Sequence, residues 1–275
     1  MRTSVIVCSY GGQEELVARC IASLEHQTHI PDEVILVVDT DDEKISYSDL
    51  FCGKTRVPIR VVSSGKKGLA AARNKGVETA LGDIIAFIDD DAEADENWLA
   101  NIFDSFSGKV MVVGGSVKPV FRGKKLDSKL NWVIDCTTTN PPPKRPIGCN
   151  MAFTKRVFEA LGGFDESLGM VRRKMAVGEE TDLFLRIKKR YGPDAKIVFN
   201  PDAVVYHHVP EERTKWRYML RRAHAEGLAK ASIGKEYDLE VEQTYLKYYL
   251  KHLDVMTFFL LLAAGIGYLR GKLRM

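Results

Sequence analysis

The chain has 275 residues, 45% of them hydrophobic and 28% charged, with a formal net charge of +3. This length and apolar content can bury a full core, which excludes a disordered chain, and the mild charge excludes a nucleic-acid protein on composition alone. Cys8, Cys20, Cys52, Cys136 and Cys149 form no C-x-x-C pair, which excludes a zinc knuckle and a disulfide framework and leaves buried, reduced thiols.

Apolar runs of strand length at 4–9, 33–39, 59–63 and 84–89 alternate with helix-period segments at 14–27 and 69–80. That rhythm belongs to an α/β domain with a mostly parallel sheet flanked by helices. The first run starts so near Met1 that no secretory signal fits before it, so the domain is expected in the cytoplasm. Residues 84–88 lack polar alternation and read as a central strand covered on both faces. In open α/β sheets ligands gather beyond the carboxyl ends of strands, where Asp39 and Asp89 fall. A helix is expected over 92–106 and a strand over 110–120, before a Pro-rich stretch, 140–146, that cannot be helix interior. There follow a strand at 149–153, a helix from Glu179, separate strands near Lys196 and Ala203, and long helices after Glu211.

This organisation gives a domain over 1–210 with halves 1–110 and 111–210, a basic helical region over 211–253 and an apolar segment over 254–275. Residues 255–269 carry no charge and precede Arg270, Lys272 and Arg274. A perpendicular membrane span needs about 20 residues, so a tilted anchor and an interfacial helix both fit.

Asp89, Asp90 and Asp91 follow the apolar strand directly, and three adjoining carboxylates repel one another unless a cation compensates. Hard oxygen ligands suit Mg²⁺ or Mn²⁺, ions that bridge a substrate diphosphate to one or two carboxylates. In the acidic run Glu179, Glu180, Asp182, helical geometry puts Glu180 on the apolar face of Leu183, Phe184 and Ile187, so it is expected to point inward. Glu179 and Asp182 flank Arg186 on the polar side, with Asp182 and Arg186 at the favourable i, i+4 spacing. Strand alternation sends His207 and His208 to opposite faces, so only one of them can reach a metal.

Four blocks, VIVCSY at 5–10, GLAAARN at 68–74, GDIIAFIDDD at 82–91 and GEETDL at 178–183, resemble glycosyltransferase family 2 in order and spacing, over residues 1–210. The resemblance implies a GT-A fold, a nucleotide-diphosphate sugar donor such as a UDP-sugar, and inversion at the anomeric carbon. Asp39 resembles the family's nucleobase-contacting aspartate, and Ser9, Tyr10 and Arg73 match positions lining the nucleotide pocket. Asn74 and Asp90, within the matched blocks, are counted with the donor-binding set. Asp89 and Asp91 match the outer residues of the family's D-x-D, which contact ribose and the metal, and His207 resembles a strand-end histidine that completes the metal site. An imidazole ligand there suits Mn²⁺ better than Mg²⁺. Family members commonly carry Glu-Asp where Glu179 and Glu180 stand, the aspartate acting as general base, so the matching residue is Glu180 with its longer side chain.

GCNMAF at 148–153 resembles the segment bordering the sugar and acceptor site, which puts Asn150 among the candidates. The cations Arg213, Lys215, Arg217, Arg221 and Arg222, interleaved with Trp216 and Tyr218, could hold a departing diphosphate, rest on anionic lipid, or form a solvated face. The Q-x-x-R-W signature of processive synthases is missing here, so transfer of a single sugar is expected. The acceptor is expected to be a glycan or a lipid-linked glycan, with polyprenyl or dolichyl lipid as the carrier in the second case, at the cytoplasmic face of the cell membrane. A sugar-nucleotide pyrophosphorylase would need a Gly-rich phosphate loop that the first strand lacks, and a carbohydrate-binding protein would not need both acid clusters.

Overall fold

The computed structural model describes residues 1–11, 13–40, 55–137, 146–168, 175, 177–233 and 239–273, the side chains of 239–244 excepted. The Pro-rich expectation over 140–146 falls mostly outside them, as does Cys52. In chain order the elements are β1 (Thr3–Ser9), α1 (Glu14–Glu25), β2 (Glu33–Val38), β3 (Ile59–Ser63), α2 (Leu69–Thr79), β4 (Ile84–Asp89), β5 (Ala92–Ala94) and α3 (Trp98–Ser105). Then come β6 (Val110–Phe121), β7 (Met151–Thr154), α4 (Lys155–Leu161), α5 (Glu179–Tyr191), β8 (Lys196–Val209), α6 (Trp216–Ile233), α7 (Leu239–Lys251) and α8 (Val255–Lys272).

The strands form one eight-stranded sheet in the order β3-β2-β1-β4-β7-β6-β8-β5. β1 lies parallel to β2 and β4, and β2 parallel to β3, so the ends of β1, β2 and β4 open onto one edge. Side-chain alternation along β1 feeds two cores: Val5 and Val7 join Trp98 and Leu99 on one face, while Ile6 and Cys8 join Phe87, Phe153 and Phe184 on the other. The described cysteines, Cys8, Cys20, Cys136 and Cys149, are free and buried.

Two local expectations change. The helix expected over 92–106 is shortened to α3, because Ala92–Ala94 pairs antiparallel with β8, Ala92 opposite His207. Sheet pairing outweighs helix propensity there. The two strands expected near Lys196 and Ala203 are one strand, β8, whose register against β6 jumps from Gly115↔Asn200 to Ser116↔Val204. The jump accommodates Pro201, which cannot donate to the ladder.

Asn150, with no exposed surface, bolts this bulge to α3: its Nδ2 donates to the carbonyls of Ser116 (2.9 Å) and Ala203 (2.8 Å), and its Oδ1 accepts from Trp98 Nε1 (2.9 Å). Gly115 lies so close that a Cβ on it would stand 2.0 Å from the Ala203 carbonyl oxygen. Asn150→Ala strands three buried polar groups and is expected to cost about 2–4 kcal/mol of stability. Urea unfolding measures this, and a loss within experimental error would refute the bolt.

Candidate active site

The site gathers where β1, β2 and β4 end and α2 and α5 begin. Asp39, just past β2, accepts the Gly68 N–H on Oδ1 at 2.7 Å, and Gly68 (φ 135°) is the N-cap of α2. Ser9, buried at the end of β1, accepts the Gly11 N–H at 3.3 Å, and its hydroxyl opposes the rise of the Asp90 carboxyl. Tyr10, one residue on, stands 57% exposed at the rim.

Arg73 is the centre. It projects from α2 with only 2% of its side chain exposed, and its Nη1 donates at 2.9 Å to Oε1 of Glu179 and at 2.9 Å to Oε1 of Glu180. Its Nη2 lies 3.8 Å from Asp89 Oδ1. Gly148 seals this cluster, since a Cβ there would meet Glu180 Oε1 at 2.2 Å and Arg73 Nη2 at 2.3 Å. One guanidinium thus joins the tip of β4 to the first turn of α5. Burial opposes its charge, but Glu180, Glu179 and Asp89 outweigh it and raise its proton affinity further.

The second contact group surrounds Asp91. His207 Nε2 lies 3.4 Å and Arg213 Nη2 3.5 Å from Asp91 Oδ2, and Arg213 Nη1 lies 3.2 Å from His207 Nε2. Cys136 Sγ approaches His207 Nδ1 at 3.6 Å. Burial would raise the Asp91 carboxyl, yet His207 and Arg213 hold it at about 2. Its neighbours go the other way: burial pushes Asp89 to about 6, with Arg73 resisting and Asp91 adding, and pushes Asp90 to about 7, with Asp91 adding. His208 turns to the opposite face and pairs with Glu93.

Among the described residues no three His, Cys, Asp or Glu side chains form a ready-made metal cage. The donor set nevertheless fits a divalent cation of the diphosphate-bridging kind, which takes only one or two protein ligands. Asp91 Oδ2 and His207 Nε2 are near enough to share one ion, and Asp90 Oδ2 is buried with no hydrogen-bond partner. Carboxylates driven up by burial and by one another also gain most from an added positive charge.

Several sequence expectations are redirected. Glu179, not Glu180, is the more buried acid of α5, with 4% of its side chain exposed against 21%. The apolar stripe of α5 faces the core, but its first turn packs on Arg73, which draws Glu179 inward. Asp182 bonds Arg186 Nε at 2.8 Å, as the spacing implied, and Arg186 also ties down the carbonyls of Leu161 and Gly163, which makes Asp182 structural. Asn74 spends both ends of its amide on Phe164 and Glu166, and Asn150 on the bulge, so neither amide is turned to a ligand. Of the basic run, Arg213 reaches Asp91, and Arg222 is buried on Asp135 (2.5 Å) and Glu226 (2.9 Å). Asp135, a non-glycine residue with φ 58°, is absent from the sequence-based candidates, and Cys136, read there only as a buried thiol, stands beside His207. Only the i, i+4 spacing of Arg222 and Glu226 offered a signal for that corner.

Comparison with known proteins then decides the family: the Glycosyl transferase family 2 profile matches residues 4–176. The chain belongs to glycosyltransferase family 2. Glucosyl-dolichyl phosphate glucuronosyltransferase of Haloferax volcanii is 27% identical over 84% of this chain and 76% of its own length. A mouse relative, Inactive polypeptide N-acetylgalactosaminyltransferase-like protein 5, is 23% identical over 80% of this chain and 58% of its own length. The solved structure of a mannosyltransferase from Pyrobaculum calidifontis, in complex with GDP-Man and Mn²⁺, superposes with a TM-score of 0.64 at 18% identity, covering 98% of this chain and 88% of that one. The fold of this glycosyltransferase is accordingly GT-A, a mostly parallel sheet flanked by helices, and the profile match spans the first three of the four blocks, at 5–10, 68–74 and 82–91.

Burial first, and then the charge of Glu180, raise the Glu179 carboxyl to about 8, with Arg73 resisting. A carboxyl held above its unfolded value stabilises the fold at acidic pH, and that contribution fades as pH rises through the folded value. Glu179→Gln is therefore expected to gain stability relative to the parent between pH 5 and pH 8, by an amount on the order of 2–4 kcal/mol. Parallel urea titrations across that range report it, and a pH-independent difference would contradict the assignment.

Proposed function

We propose that this glycosyltransferase moves a single sugar, with inversion, from a nucleotide-diphosphate sugar such as a UDP-sugar to a hydroxyl of a glycan carried on polyprenyl or dolichyl lipid, at the cytoplasmic face of the cell membrane. The observation that carries the reading is Arg73, because it ties Asp89, at the nucleotide end, to Glu180, the partly exposed acid. The archaeal relative, named as acting on glucosyl-dolichyl phosphate, supports a lipid-carried acceptor. The neighbour solved with GDP-Man and Mn²⁺ supports Mn²⁺ over Mg²⁺ as the ion.

Each residue has a separable task. Asp39 would accept from the nucleobase, and Tyr10, exposed at the strand end, offers a ring to it. Asp91 and His207 would hold the divalent ion, with Asp90 beside them. Bound there, such an ion neutralises charge on the diphosphate leaving group. Arg213, already on Asp91, supplies a fixed positive charge at the same place. Glu180 accepts the acceptor hydroxyl's proton, since of the two α5 acids on Arg73 it is the one with an accessible face. Arg73 fixes its direction, while Glu179 shares that guanidinium from the buried side.

Because one relative is named inactive, turnover is the quantity to measure. A panel of UDP-, GDP- and dTDP-sugars is expected to yield nucleoside diphosphate with Mn²⁺ and none with EDTA. Pyrophosphate release would indicate a pyrophosphorylase instead, and silence on every donor a binding protein. Glu180→Gln is expected to lower transfer by about 10²–10⁴-fold with nucleotide binding preserved, while Asp91→Ala weakens metal-dependent binding. Transfer by Glu180→Gln at the parental rate would remove it as the base.

A further inference from the structure

The C-terminal helix α8 has two unlike faces. Its inner row, Thr257, Leu260, Gly267 and Gly271, is buried. The seam is made by glycine: a Cβ on Gly227 of α6 would lie 1.9 Å from the Ala264 carbonyl oxygen, and one on Gly267 would lie 2.1 Å from the His224 carbonyl oxygen. Backbones that close leave no room for lipid between them. The outer row, Val255, Phe258, Leu262, Ile266, Leu269 and Leu273, is exposed at helical spacing and entirely apolar. From 255 to 275 the sequence contains no Asp or Glu but includes Arg270, Lys272 and Arg274.

Resting on the lipid-carried acceptor argued above, we propose that α8 lies flat in the surface of an anionic bilayer, its outer row below the headgroups and its inner row locked to α6, and does not cross the membrane. Its 18 residues extend about 27 Å at 1.5 Å each, short of the roughly 30 Å hydrocarbon core. More decisively, α6 cannot follow it into lipid. That helix buries Arg222 against Asp135 and Glu226, and exposes Arg217 and Arg221. Standing α8 upright would break the glycine seam or drag those charges into hydrocarbon.

The charge pattern selects the occupant. A cationic end beside an acid-free apolar row matches anionic headgroups, whereas the same row of a second copy brings no acid to meet those cations. Trp216, 39% exposed, sits edge-on to Phe259 at 5.8 Å between ring centroids, a side chain suited to the headgroup level. It lies three residues beyond Arg213, whose guanidinium is on Asp91. Trp216 thereby ties α8 to the turn that carries Arg213.

Flotation of the full chain with vesicles tests this. Binding is expected to vesicles of phosphatidylcholine with phosphatidylglycerol, to be at least about tenfold weaker on phosphatidylcholine alone, and to be stripped by alkaline carbonate. Leu262→Ser with Ile266→Ser should weaken it by at least about tenfold while leaving metal-dependent donor hydrolysis at the parental rate. Leu269→Ser gives the same reading should the double variant misfold. Retention after carbonate would overturn the proposal in favour of a spanning helix. A parental dimer that these changes dissolve, with no vesicle binding, would overturn it in favour of self-association, and vesicle binding unchanged in the variants would overturn it too. Loss of donor hydrolysis in the parent would strike the transferase reading and leave the vesicle result standing.

Discussion

A buried guanidinium has to be neutralised, and Arg73 meets that requirement by recruiting acids from two distant parts of the chain. Glu179 and Glu180 arrive from the first turn of α5, and Asp89 from the tip of β4. Because an unpaired charge at that depth would cost several kcal/mol, α2, β4 and α5 cannot separate without exposing a large penalty. The arrangement that keeps the fold closed is also the one that sets the spacing between Asp89 and Glu180. Stability and chemistry draw here on the same contacts, so the site is rigid where a reaction needs positioning.

The three consecutive aspartates illustrate how environment divides identical groups. Asp91 faces His207 and Arg213 and stays ionised, while Asp89 and Asp90 are driven toward neutrality by burial and by Asp91 itself. Both groups on Asp91 reach it through the β8 end of the molecule, His207 from the strand and Arg213 from the turn after it. β8 takes its place through the ladder with β5 and the bulge pinned by Asn150. The corner around Asp91 is therefore assembled across more than a hundred residues of chain.

Beyond that corner the polypeptide continues as structure welded to the catalytic domain. Asp135 holds Arg222 from the end of a 3₁₀ turn, Trp132 packs near Tyr249 of α7, and Lys129 pairs with Asp254 at the N-cap of α8. These ties, with the glycine seam, couple the apolar outer row of α8 to the site.

Much of this was legible in residue order. The strands β1 to β4 and helices α1 and α2 follow from apolar periodicity, which is a local property of the sequence, and the four blocks identified the family because each keeps chemistry at a strand or helix end. Tertiary structure decided what periodicity cannot express. Whether residues 92–94 pair as a strand depended on a partner at 205–207. Asn74, Asn150 and Asp182 fell inside or beside family blocks, yet which atoms their polar groups would meet was a matter of distant backbone carbonyls and side chains. The order of burial within Glu179 and Glu180 was set by one arginine more than a hundred residues away, since a helical wheel knows which face is apolar but not what charge waits outside its first turn.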